Sequence, residues 1–310
     1  MIPSFKFFHG NKNAFVNWLL LLALGLIWGM AFMGVEVSLK GFNPLTVATI
    51  RISLAAVLLN MIAFIYRYKL PNPFNPKEKK VFLHCFGMAV LSNAIPFSLL
   101  SWAQTHVSSG FAGIAMAVVP LVVLPLTHFL VPNQKMTIPK IYGFIIGFIG
   151  VVILIGPSSL NLGSSYIILA AQFACIIASC CYASGAIVTK LTPKVSLIAF
   201  TACSLLIASI IMIPIALYFE GLPSFNGYVP IIGVIYLGLF PTALATLIKV
   251  LLIRRVGPPF LSLVNYQVPI WALLIGAFVL NESISLRLLL ALVIILLGLA
   301  MSEFIKIKNS

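Results

Sequence analysis

The chain has 310 residues, 62% of them hydrophobic and only 8% charged, whereas an ordinary soluble domain is roughly a quarter charged. A mean hydropathy of +1.16 leaves too little polar surface to cover a water-soluble globule, so the class is polytopic membrane protein. The formal net charge is +14 and Asp is absent, the five acids being Glu36, Glu78, Glu220, Glu282 and Glu303; this excludes an Asp dyad, an aspartyl-phosphate pump and a Walker-B Asp, and no GxxxxGK[ST] loop is present to bind ATP.

Apolar runs of about 20 residues, the length that crosses roughly 30 Å of hydrocarbon, predict ten spans. They lie near residues 17–39, 44–66, 81–102, 108–130, 138–156, 165–189, 196–219, 228–249, 260–280 and 286–305. Turn chemistry separates them, as in Gly41-Phe42-Asn43-Pro44, Pro71-Asn72-Pro73, Gly156-Pro157, Gly221-Leu222-Pro223 and Gly257-Pro258-Pro259. The first run continues through Trp28 to Leu39 without a small-x-small cleavage site, so it reads as a retained helix and not as a signal peptide. The five cysteines, Cys85, Cys175, Cys180, Cys181 and Cys203, all sit in apolar runs and read as reduced packing residues.

The basic residues orient this frame. Sixteen of the 19 fall on one side, among them Arg67, Lys69, Lys77, Lys79 and Lys80 in one loop and Lys249, Arg254 and Arg255 at the end of the eighth span. The other side holds Lys40 and Arg287, and Arg51 lies within a span. By the positive-inside rule both termini are expected in the cytoplasm, which requires an even number of spans. The net charge is thus a record of topology, and no nucleic-acid partner is expected.

Two halves of five spans are expected, residues 1–156 and 157–310. The stretch from Val118, "VVPLVVLPLTHFLVPNQKMTIPKIYGFIIGFIGVVIL", parallels that from Gln267, "QVPIWALLIGAFVLNESISLRLLLALVIILLGLAMS", with Pro120 matching Pro269. Because five is odd, the second half enters the membrane from the opposite side. The fold class expected is therefore an all-α membrane protein of ten transmembrane helices in two inverted five-helix repeats.

"LIWGMAFMGVEVSL" with "NPLTVATIRISLAAVLL", and then "VGPPFLSLVNYQVPIWALLIGAFVLNESIS", resemble the EamA-type branch of the drug/metabolite transporter superfamily over essentially the whole chain. The most specific pieces are Trp28-Gly29, Arg51 with Ala55, and Pro269, Glu282, Ser285 and Gly298. The resemblance implies a bacterial inner-membrane carrier of amino acids and other small metabolites, often an exporter, with a central cavity between the repeats. One departure is that Gln134 stands in the first half where Glu282 stands in the second.

Several residues are candidates for the cavity. Trp28 falls about 16 Å in from the start of its span, where its N–H needs a partner or a wet cavity, so it either lines that cavity or wedges between helices beside Gly25 and Gly29. Asn93 on the third span, and Tyr266 and Gln267 just before Pro269 on the ninth, are either substrate contacts or interhelical hydrogen-bonding groups. Arg51, about 10 Å below the outer end of the second span, either anchors a carboxylate or snorkels outward. Glu36 is a possible proton-coupling residue, although it sits close to the outer interface. Glu282 is expected to cap the amides of the tenth span. His84, His106 and His128 lie near span ends and far apart in the chain, so no metal and no cofactor are expected. Gly143, Gly147 and Gly150 form a small-residue face for packing within the bundle or for a dimer contact.

The function expected is carriage of a small polar or zwitterionic metabolite, amino acids outward foremost, by alternating access. A multidrug exporter or an importer of the same fold is the alternative. The partners expected are a small-molecule substrate and the lipid bilayer, with a monomer or a dimer as the assembly. An enzyme is not expected, since no His shares a helical face with a carboxylate or a Ser nucleophile.

Overall fold

The computed structural model describes residues 12–130, 136–156, 166–224, 227–256, 258–261 and 263–304. All the regular structure among them is helical: α1 (Lys12–Leu39), α2 (Pro44–Ile65), α3 (Lys79–Ala103), α4 (Ser109–Leu130), α5 (Ile138–Ile155), α6 (Tyr166–Leu191), α7 (Leu197–Glu220), α8 (Tyr228–Lys249, running on to Val256), α9 (Val264–Val279) and α10 (Leu286–Phe304). Eight of these, α1 to α8, are long and apolar enough to cross a membrane; α9 and α10 are shorter apolar helices. The ninth apolar run is thus shorter than its sequence suggests, because the double proline opens a single turn, Pro258–Leu261, before the helix resumes at Val264. Large side chains that face away from the bundle are apolar, such as Phe64, Tyr218 and Phe278, as lipid contact requires.

The helices pair in a regular pattern. α5 packs on α10, α2 on α7, α4 on α9, α1 on α9 and α8, and α6 on α4 and α3. α3 also packs on α7, and α2 on α8. Exchanging each helix for the one five places along maps this set of pairs onto itself.

Small residues set the close approaches, as they do between helices that gain little hydrophobic energy from association in lipid. Gly25 and Gly29 of α1 lie against Gln267 and Trp271 of α9, matching i, i+4 pairs, and Gly113 of α4 lies against Ala272. Along α2 and α7, Ser53 Oγ and Ser209 Oγ are 2.7 Å apart, and Asn60 Nδ2 donates to the carbonyl of Ala202 at 3.1 Å.

The glycine face of α5 is spent inside the bundle. Gly143 and Gly150 face α10, and Gly147 faces Leu121 of α4. A Cβ added at Gly298 would stand 2.5 Å from the Gly147 amide nitrogen and 2.6 Å from the Gly143 carbonyl, both rigid backbone. A Cβ at Gly147 would meet only the flexible end of Leu121. Gly298→Ala should therefore cost about 1–3 kcal/mol, the usual overpacking penalty, and Gly147→Ala less. Melting temperatures of the two variants in detergent check this order.

Candidate functional site

The two mid-bundle helices α3 and α8 are not regular. Each widens into π-helical turns, at Val90–Ala94 in α3 and Gly238–Leu244 in α8, beside Pro96 and Pro241 respectively. Such bulges concentrate at functional sites because they leave backbone groups unpaired and re-aim side chains. Pro241 has no N–H to give the carbonyl of Leu237, and Thr242 Oγ1 donates to that carbonyl at 2.8 Å. In α3, Asn93 Nδ2 donates to the carbonyl of Met88 at 3.1 Å. Each polar side chain thus bonds the carbonyl five residues before it.

Between these bulges lies a cavity of about 310 Å³, at the small end of the roughly 300–1,000 Å³ typical of ligand pockets. α1 contributes Trp28, Phe32 and Val35; α2 contributes Arg51; α3 contributes Ser92, Asn93, Phe97 and Gln104. Tyr182 and Thr189 come from α6, Thr242, Thr246 and Lys249 from α8, and Asn265 and Pro269 from α9. A second hollow of about 260 Å³ lies among the loops around Glu220, whose carboxylate is already engaged by α2.

Arg51 is 7% exposed and does not snorkel. Its Nε donates to Thr242 Oγ1 at 2.8 Å, and its guanidinium carbon lies 3.8 Å from the centroid of Phe97, a cation–π distance. Phe97 is in turn held edge-on by Tyr182 at 6.3 Å. The fork of the guanidinium is therefore oriented while no carboxylate pairs with it among the described residues. Trp28 lines the same cavity, and its Nε1 donates to the carbonyl of Pro241 at 3.1 Å, so the indole is both cavity wall and brace for the α8 bulge.

Tyr266 and Gln267 are not among the residues that line this cavity. Helical periodicity puts Asn265, Val268 and Pro269 on the cavity face. Gln267, two residues and about 200° from Pro269, turns the other way and lies over Gly25 of α1. Tyr266 packs against the large hydrophobic core, also outside the cavity lining. Glu36 is half-buried near Glu282 and Lys40, one residue beyond the cavity-lining Val35.

Glu282 is a cap, but of a different helix from the one expected. Asn281, at φ 56°, ends α9 in the left-handed region, and the chain folds back with the Glu282 amide donating to the carbonyl of Gly276 at 3.0 Å. This carries the carboxylate to α4, where Oε1 accepts from the Ser109 amide at 2.8 Å and Oε2 from the Gly110 amide at 3.0 Å. Ser285 Oγ caps α10 instead, accepting from the Leu288 amide at 3.3 Å. Glu220, at the end of α7, does for α2 what Glu282 does for α4: it accepts from the amides of Leu45 at 2.8 Å and Thr46 at 2.7 Å. Gln134, the position set beside Glu282 in the sequence, lies outside the described residues.

Sequence reasoning missed Lys249, Thr242 and Gln104. Thr242, Thr246 and Lys249 recur at i, i+4, i+7, the signature of one helical face, but Lys249 reads as a loop charge because it ends an apolar run. Gln104 reads as the start of a tight connection, yet it is 4% exposed and neither amide atom has a partner.

The model of the EamA-like transporter family matches the chain twice, at residues 17–156 and 169–304. The chain belongs to this family. It is 24% identical over 286 residues to the uncharacterized transporter YoaV of Bacillus subtilis, covering 92% of this chain and 95% of that protein. It is 28% identical over 272 residues to the uncharacterized inner membrane transporter YedA of Escherichia coli, covering 86% of this chain and 83% of that one. A solved crystal structure shares the fold with a TM-score of 0.67 at 15% identity, over 94% of this chain and 98% of that one. The protein is accordingly a multi-pass membrane transporter of the EamA family, not an enzyme, with the lipid bilayer and a small-molecule substrate as its partners.

A carboxylate on helix N-terminal amides contributes about 1–2 kcal/mol. Glu282→Ala should lower the melting temperature by several degrees, whereas Glu78→Ala, which removes bonds only within the loop at Asn72 and Asn75, should lower it less. Scanning fluorimetry of both variants measures the difference.

Proposed function

We propose that this EamA-family protein is an inner-membrane carrier of small metabolites bearing a carboxylate, amino acids foremost, with both termini in the cytoplasm. The observation that carries this reading is the charge of the cavity. Arg51 presents an oriented guanidinium inside it, and none of the described lining residues is acidic. A guanidinium fork matches a carboxylate in two parallel hydrogen bonds, and such a ligand supplies the counter-charge that a buried cation lacks. Trp28, Phe97 and Tyr182 add aromatic walls for an apolar side chain.

Alternating access is supported by the principal helix pairs, a set unchanged by exchange of the two groups of five, and by the two proline-associated bulges on α3 and α8, which both line the cavity. The ten-span, two-repeat architecture follows if α9 and α10 also cross the bilayer. Outward movement is the direction that the family resemblance implies. A cationic drug finds no acid in the lining, which disfavours the multidrug alternative.

Counterflow in proteoliposomes against a panel of radiolabelled amino acids tests the substrate class, and opposite-sided gradients test the direction. Arg51→Met should abolish counterflow, and Arg51→Lys should weaken it about tenfold or more by losing the fork. The ligand-free Arg51→Met protein should be no less stable than wild type, because an unpaired buried charge is removed. Undiminished counterflow by Arg51→Met would refute the assignment.

A further inference from the structure

Carboxylate recognition by Arg51 leaves a second cation of the cavity unused. Lys249 borders the same space from the far end of the Thr242–Thr246–Lys249 face. It makes no hydrogen bond or ion pair among the described residues. Its root lies seven residues beyond Thr242, about 10 Å along the helix axis, so one end of the cavity is anchored at Arg51 and the other at Lys249.

Among the described residues, the acids that could neutralise these cations are engaged elsewhere. Glu220 and Glu282 are held by the amides of α2 and α4, and Glu78 by a loop at Asn72 and Asn75. Glu36 stands outside the lining beside Lys40. One monocarboxylate would match one cation and leave the other without a counter-charge, either the buried Arg51 or the partly buried Lys249 at the cavity's end, an unfavourable arrangement where water is scarce. Arg51, an ionisable group within a span, is of the kind that ordinarily marks a substrate path, and Lys249 stands at the span end where that path would open.

From this geometry we infer that the preferred substrate carries two carboxylates, one taken by the Arg51 fork and the other by the Lys249 ammonium. Gln104, buried with both amide atoms free, supplies a neutral donor and acceptor for the remaining polar group of such a molecule. The inference rests on the carboxylate-carrier reading and narrows it to small dicarboxylates, with or without an ammonium group.

The test uses matched pairs that differ by one charge at nearly constant shape: glutamate against glutamine, and succinate against its monoamide. Apparent affinities are read by competition in counterflow with the full-length protein in proteoliposomes. Wild type should favour the dianionic member of at least one pair by about tenfold or more, and the pair that shows this tells whether the ammonium is required. Lys249→Gln should erase that preference, and Lys249→Arg should retain it. Melting temperatures of the ligand-free variants establish that they fold, and the wild-type preference is measurable without either variant.

Equal affinity of wild type for both members of both pairs would overturn the inference and leave the carboxylate-carrier reading standing. So would a preference that survives Lys249→Gln. Failure of every carboxylate to compete would overturn both.

Discussion

A guanidinium held at membrane depth without a carboxylate is the constraint around which the rest of the site is arranged. Arg51 is kept in place by groups that orient it but do not neutralise it: a threonine oxygen, a phenylalanine face and, behind that ring, a tyrosine. A charge in that position is expensive, and proteins tolerate such positions where the group pairs with another or faces a polar cavity. Here the acids near the bundle end are engaged by helix N-termini. The described lining is thereby left positive, and on the proposed reading a carboxylate substrate supplies the partner.

The same threonine ties that charge to the backbone. Thr242 accepts from Arg51 and donates to the carbonyl of Leu237, while Trp28 donates to the carbonyl of Pro241. Side chains from α1 and α2 therefore converge on one irregular segment of α8. A ligand that pulls on Arg51 acts directly on the bulge where α8 is least regular, which provides a physical link between occupancy and helix movement. The α3 bulge beside Pro96 faces the same cavity through Asn93, so both sides of the site have a deformable wall.

Much of this was legible in the sequence. Apolar run length placed the helices, and the mid-span positions of Trp28, Arg51 and Asn93 marked three residues that line one cavity. Rotational phase on α9 was not legible. The proline signalled an unusual face, but a shift of two residues separates Asn265 from Gln267 by about 200°, and polarity alone does not say which faces the cavity and which lies over Gly25. The destination of Glu282 was hidden for a different reason. A carboxylate near the start of α10 looks like its local cap, and only the left-handed turn at Asn281 carries it across to α4. The equivalent action of Glu220 on α2 joins residues 175 apart in the chain, and no local pattern reports it. Lys249 was concealed by its place at the boundary of an apolar run, where a basic residue reads as topology.

The cavity's demand for a carboxylate is tested most directly by ligand-induced thermal stabilisation of the detergent-purified protein, comparing each amino acid that binds with its own amide. The pair differs little in shape, but the amide lacks the anion and carries a net positive charge. The amino acid should raise the melting temperature in a saturable manner and the amide should not. Equal stabilisation by the amide, or stabilisation by the amide alone, would contradict a positive, carboxylate-binding cavity.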